Sequence, residues 1–582
     1  MVWLMWRRRS PLAGVTATAL VLAGCGGNHP ESGSPVIEAE SGRAHALALA
    51  PGATNTSTTQ RDAARLADQA TFGATETLLT TIRTQGVEPW LAAQFAATGS
   101  SYTRGGSGLI HTTLVDDFCA GKGDHCWRDN YSAEPLLWDF YRNATTQPDQ
   151  LRQRVAFALQ QIVVISNHEV AGTYGLRFFH NMLLTNAFGN YREVLRRTAL
   201  SPLMGDYLDH VNNDKLSPNE NFARELLQLF AIGTCRLNSD GTLQGGQCAP
   251  TYDNQTVREY AFALTGFTYP AGGVSVWGCW PTGANCTYYQ GDMVAKPALA
   301  DNKARTLLSG ITVPATRTPT QALDLVLNSL MAHPSMAPFI SRQLIQHLVK
   351  SNPTPAYVQR VATSFRNGRY TGLTRSFGTG VNGDLTATVA AVLLDPEART
   401  SAAPLVAEKL REPALLMTGA VRALNGSTDG EAMSWWWGDA MRQHVFYSPS
   451  VFNFYSPTYP VPGTRLVGPA FGIYNVNTAF ARLNFLNQLL HWGGMDANPT
   501  VPGALGTHVN LAGFEADATD PAVLVSRLSN LLTGGRLTAA ARQTIASAVA
   551  TWTPAQSSSW RTERVRTAAY LVLASPAYQV LN

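Results

Sequence analysis

The chain has 582 residues, 45% of them hydrophobic and only 14% charged, with a formal net charge of +4. That much apolar material supports a large globular core, and the small charge excludes a disordered, self-repelling chain. No dense Lys/Arg run accompanies the positive excess, so there is no electrostatic footprint for nucleic acid.

Arg7, Arg8 and Arg9, the apolar run from Pro11 to Val21 and Leu22-Ala23-Gly24-Cys25 read together as an export signal ending in a lipobox. The run is shorter than the roughly 18–20 residues needed to span a bilayer. Residues 1–24 are therefore expected to be a cleaved lipoprotein signal peptide, with Cys25 lipidated and anchoring the protein to the membrane. The rival is an ordinary secretory signal whose cysteine is incidental. Gly26 rather than Asp follows the cysteine, which in a Gram-negative cell directs the protein to the outer membrane, facing periplasm or surface. Residues 25–58, rich in Gly, Ser, Ala, Thr and Pro, read as anchor and flexible tether.

With Cys25 lipidated, the seven cysteines leave three close pairs: Cys119 with Cys126, Cys235 with Cys248, and Cys279 with Cys286. Local disulfides suit an exported protein. Cys119, His125 and Cys126 raise zinc as the rival, but the CxxC spacing of structural zinc sites is absent.

Helical patterns dominate from Thr58 onward. Thr318-Pro319-Thr320-Gln321 has the form of a capping box with Pro at the first helical position. Met336, Ile340, Leu344 and Leu348 form one apolar stripe, and Thr354-Pro355 opens a further helix. Leu385–Leu394, Leu405–Leu424, Thr478–Leu490, Ala522–Leu532 and Val565–Leu573 read alike. The expected fold is mainly α: a large multi-helical domain over 59–582, as one body or as lobes 59–310 and 311–582, with small disulfide-stitched loops or β-hairpins inserted.

Standard catalytic grammar is absent: no GxSxG, no GxxxxGK[ST], no GxGxxG. His168-Glu169 begins like a zincin motif, but Gly172 stands where its second histidine belongs. The densest polar stretch runs from Asp206 to Glu225. At about 100° per residue, Asn221, Glu220, Arg224, Glu225 and Gln228 share one helical arc. With Asn219 they form a candidate functional face, and Asp209, Asn213 and Asp214 offer oxygen donors of the kind Ca2+ takes. The plainer reading makes Ser217–Glu220 a capping box and Glu220 with Arg224 an i,i+4 pair. The density of the patch in so weakly charged a chain favours burial of Arg224 and Glu225.

A second candidate, for ligand binding, comprises Trp436, His444 and Asn453, near Trp435, Trp437, Phe446 and Tyr447. Three successive tryptophans cannot all face one core, so at least one reaches a surface or cleft. The alternative is that these rings pack under a Pro-rich loop. His347, on an apolar helix face, reads as a core residue.

Pro218-Asn219-Glu220-Asn221-Phe222-Ala223-Arg224-Glu225-Leu226-Leu227-Gln228-Leu229-Phe230, then Tyr252 through Val257 to Thr265-Gly266-Phe267, resembles the signature of a bacterial family known as domain of unknown function 1800. The match continues in Arg65-Leu66 with Ala70–Gly73, His333-Pro334, Arg342–Ile345, Asp395–Arg399, Leu410–Pro413 and Ser450–Phe454, covering about residues 60 to 580. The resemblance implies an exported, mostly helical protein and, as a partner, a sulfatase-like protein encoded nearby; it assigns no reaction or cofactor. Where relatives often carry a His-Asp pair, this chain has Ala300-Asp301, so a role resting on that histidine finds no residue here. Two functional readings stand: a non-catalytic binding or assembly lipoprotein of the cell envelope, favoured because no nucleophile, base or metal motif is recognisable, and an envelope enzyme acting on a cell-wall, polysaccharide or protein substrate through the Asn219–Glu225 face.

Overall fold

Side-chain caps set the helix starts in this computed structural model, which describes residues 58–106, 118–271, 288–400 and 408–581. Thr59, Thr75, Asp253, Thr354, Asp384 and Thr538 each accept a hydrogen bond from a backbone N–H of the following turn. The Thr318 box forms in full: the Gln321 N–H donates to Thr318 Oγ1 at 3.2 Å, and the Thr318 N–H donates to Gln321 Oε1 at 2.9 Å. Twenty-three α-helices result among the described residues, with five two-stranded antiparallel sheets of two-residue strands. The mainly α expectation holds, and none of these helices is long and apolar enough to cross a membrane.

The predicted helices at Met336, Pro355, Leu385, Thr478, Ala522 and Val565 appear as Met336–Leu348, Pro355–Asn367, Leu385–Leu394, Val476–Leu490, Pro521–Thr533 and Trp560–Ala574. The expected Leu405–Leu424 helix is corrected. Lys409–Leu410 is a strand paired with Val580–Leu581, and the helix is Pro413–Ala423. Pro413 supplies the fixed φ of a first helical position but no N–H to extend the helix backward.

The main hydrophobic core runs from Ala63 to Tyr578, and a smaller cluster comprises Leu410, Phe454, Tyr455, Ala470 and Ile473. The first helix, Gln60–Ala70, packs on Leu385–Leu394 and on Pro521–Thr533, which joins Ala539–Ala550 and Trp560–Ala574. Gly73 makes a close approach: a Cβ there would lie 2.5 Å from Gly419 Cα. Cys119–Cys126 and Cys235–Cys248 are bonded, with Cα separations of 5.5 and 4.9 Å; the second closes a small hairpin bridged at Leu237 and Leu243. Cys25, its signal and tether, and Cys279 with Cys286 lie outside the described residues.

Candidate functional site

The Asp206–Glu225 stretch closes on itself. Asp209 and Asn212 adopt left-handed backbone (φ 55° and 58°), which short polar side chains tolerate best among non-glycines. Asn213 accepts from the Asn219 N–H at 2.7 Å and donates to its carbonyl at 3.0 Å, Asp214 accepts from the Leu216 N–H at 2.7 Å, and Asp209 accepts from Asn221 Nδ2 at 3.2 Å. The proposed Ca2+ donors thus hold the loop, and among the described residues no three His, Cys, Asp or Glu side chains gather to hold a metal.

The expected capping box at Ser217–Glu220 does not form. The helix is Asn221–Glu225, Glu220 makes no side-chain cap, and Asn219 Oδ1 instead accepts from the Asn221 N–H at 2.8 Å. The five candidates also divide. Glu220 pairs with Arg224 at 3.1 Å in a half-exposed position, with Arg258 3.8 Å away, whereas Glu225 is buried at 7% exposure. Burial of Arg224 is therefore corrected; only Glu225 turns inward. Ordinary α spacing accounts for this, because Glu225 lies about 100° round the helix from Arg224, towards the buried Phe222; the α turn then passes into a π-helical turn, Leu226–Ala231.

Glu225 Oε2 has no hydrogen-bond partner, and desolvation raises its carboxyl above the usual range against the opposing charge of Arg224. It lies within electrostatic reach of Tyr207, whose hydroxyl is pushed up to about 12 by burial, with Glu169 and Glu225 adding to the effect. Asp206 accepts from the hydroxyls of Tyr269 and Tyr289, the latter at 2.6 Å, and burial pushes it up to about 6 despite both bonds. The result is a group of carboxyls and phenols that favours protonated forms, suited to proton transfer or to recognition of hydroxyl groups.

The second stretch builds a different site. Ala432–Trp436 is again π-helical. Trp435 and Trp436 point outward, 62% and 69% exposed, while Trp437 turns onto Phe485 with ring centroids 5.7 Å apart. Against Trp435, His444 Nε2 lies 3.1 Å from Glu134 Oε1, Ser434 Oγ donates to Glu134 Oε2 at 3.1 Å, and Tyr447 stacks on His444 at 4.1 Å. The grouping of Trp436, His444 and Asn453 is corrected in detail: Trp435 is the indole that meets the His444 edge, at 5.2 Å. Asn453 turns away, donating to Gln161 Oε1 at 2.9 Å and accepting from Ser448 at 3.2 Å.

Five of the seven non-glycine residues with positive φ among the described residues fall in these two stretches: Asp209, Asn212, Arg442, Phe446 and Asn453. A bulky Phe446 at φ 69° is a genuine outlier, fixed by a hydrogen bond from the Asn167 N–H to its carbonyl at 2.9 Å. The Asn167 segment joins the two sites. Ser166 donates to the Ser448 carbonyl at 2.7 Å, His168 meets the Tyr447 ring edge at 5.3 Å, and the adjacent Glu169 acts on Tyr207.

Sequence reasoning missed Glu134 and Tyr289. Glu134 stands beside Pro135 in a first helical turn, where an acid reads as helix-dipole compensation, and Tyr289 follows a stretch of sequence without periodicity. His444 itself was visible only through its aromatic neighbours. No curated protein and no solved structure matches the chain. Residues 65–580 match the family described as protein of unknown function (DUF1800), and the chain belongs to that family.

Proposed function

We propose that this is an exported, lipid-anchored binding component of the cell envelope, and that Trp435 and Trp436 form its ligand platform. The observation that carries the reading is the outward projection of both indoles, with Trp435 against the edge of the His444 ring that pairs with Glu134. Each exposed indole forgoes roughly 1.5–3 kcal/mol of burial, a loss that stacking on a flat apolar face of a ligand recovers. Sugar rings offer such faces with hydroxyls at their edges, which the Glu134 carboxylate and His444 can bond, so a wall glycan or polysaccharide is the favoured ligand class. The lipobox at Cys25 and the two disulfides support an oxidising compartment outside the cytoplasm. In pull-downs on insoluble wall glycan, the paired Trp435→Ala and Trp436→Ala substitutions are expected to weaken retention about tenfold or more with melting unchanged, since stacked aromatics are typical binding hot spots. Unchanged retention refutes the platform. Cys25→Ala is expected to abolish fatty-acid labelling and release the protein from membranes; persistent label refutes the anchor.

Glu225 favours a second reading as an envelope enzyme, because a buried carboxyl with a free oxygen beside Tyr207 has the form of a general acid. Glu225→Gln would then abolish product release from wall glycan while leaving retention intact.

A further inference from the structure

Behind the aromatic stretch lies a recess of about 30 Å3, with Gln343, His347, Lys409 and Tyr455 on its polar side and Phe452 and Pro469 on its apolar side. A single water needs at least about 10–15 Å3, so the space suits two waters or one group the size of a carboxylate. The charges around it do not balance. Lys409, 6% exposed, donates to the His347 carbonyl at 2.5 Å and stands 3.7 Å from Glu412 Oε1. Arg154, 1% exposed, donates to the same carbonyl at 3.5 Å; it forms no ion pair among the described residues, and its Nε has no partner.

Among the described residues Glu412 is the carboxylate that acts on both cations, with Asp68 adding to its pull on Arg154, and Glu412 Oε2 is already engaged by Gln443 at 2.6 Å and Tyr455 at 2.8 Å. Other acids nearby are committed: Asp68 to Arg411, and Glu397 with Glu408 to Lys350. Burial draws the Lys409 ammonium down to about 8 against the pull of Glu412. Burial and the Lys409 charge draw His347 down to about 3, leaving a neutral ring. A donor is also idle, because the buried Gln343 Nε2 has no partner.

We propose that this recess binds a carboxylate, with Lys409 supplying the countercharge and Gln343 a hydrogen bond. A buried positive excess beside a cavity with an unused donor is the complement of a small anion, and two oxygens can meet Lys409 and Gln343 together. Phe452 is 53% exposed and lines the recess, so the carboxylate belongs either to a short free acid or to the end of an apolar chain lying across that ring.

Saturation-transfer NMR on the full chain tests this with sodium acetate, sodium octanoate and, as a headgroup control, octanol. Acetate and octanoate are expected to bind and octanol not. Comparable affinities indicate a short acid, whereas octanoate about tenfold tighter, with the gain lost in Phe452→Ala, indicates an apolar chain. Gln343→Leu, which leaves the ion cluster intact, is expected to weaken either acid about tenfold, the usual effect of one lost hydrogen bond to a charged group. The proposal is overturned if neither acid binds, if chloride displaces the acids at equal concentration, or if a folded Gln343→Leu binds them as well as the native chain.

Discussion

At Asp206 two phenols donate to a carboxyl that burial nevertheless holds up at about 6, well above the ordinary value near 3.9. Between those values the folded state binds more protons than the unfolded one, so the Asp206 contribution to stability falls as pH rises from about 4 to 6. Glu225, raised by desolvation, acts with the same sign. Melts at pH 4 and pH 7 should therefore show Glu225→Gln gaining on the native protein at the higher pH; a constant difference would refute a raised carboxyl. Arg224 behaves otherwise. Its side chain is 39% exposed and its partner Glu220 34%, so Arg224→Ala is expected to cost under about 1 kcal/mol in chemical denaturation. The sequence showed that these residues cluster, since composition and spacing are one-dimensional facts. Which of them turned inward depended on how this segment packs on the core, which no residue type announces.

At the scale of elements, the Thr318 box is the clearest case of local sequence specifying local structure, because both of its hydrogen bonds join residues three apart. Thr318→Ala removes the side-chain acceptor and is expected to cost about 1 kcal/mol in denaturant titration. Gly73 is the opposite case. Its φ is 141°, and a Cβ there would lie 2.5 Å from Gly419 Cα on the packed Pro413–Ala423 helix. Gly73→Ala is expected to destabilise by about 2 kcal/mol or more, through combined strain and overpacking, with a matching fall in melting temperature. The two π-helical segments, Leu226–Ala231 and Ala432–Trp436, coincide with the two candidate sites. Such turns are rare and frequently functional, and each shifts the side chains that follow it off the α register.

Across the whole molecule, four histidines are held neutral by burial: His180 and His347 near 3, His210 and His333 near 4. Unfolding restores an ordinary value near 6.5, so their contribution is present above that value and is lost as pH falls toward the folded values. A drop in the urea midpoint between pH 7 and pH 4.5, with proton uptake on unfolding, is the expected result; an increase would contradict their burial. The local disulfides act through the unfolded chain. Reduction is expected to lower stability by roughly 2–3 kcal/mol per bond in the chain-entropy account, and non-reducing peptide mapping should find Cys119 linked to Cys126 and Cys235 to Cys248.

What the sequence determined by itself was whatever depends on residues close in the chain: the helical class, most helix starts, and the pairs Cys119–Cys126 and Cys235–Cys248. Caps, apolar stripes and short loops act over a few residues, so their signals survive without the fold. The tertiary structure alone decided the long-range partners. Glu134 meets His444 across 310 residues, Lys409–Leu410 pairs with the C-terminal strand, and Arg154, Lys409 and Glu412 share one buried site. Those contacts arise because packing in the core brings distant segments together, and burial, not residue type, then sets their charge and their free hydrogen-bonding groups.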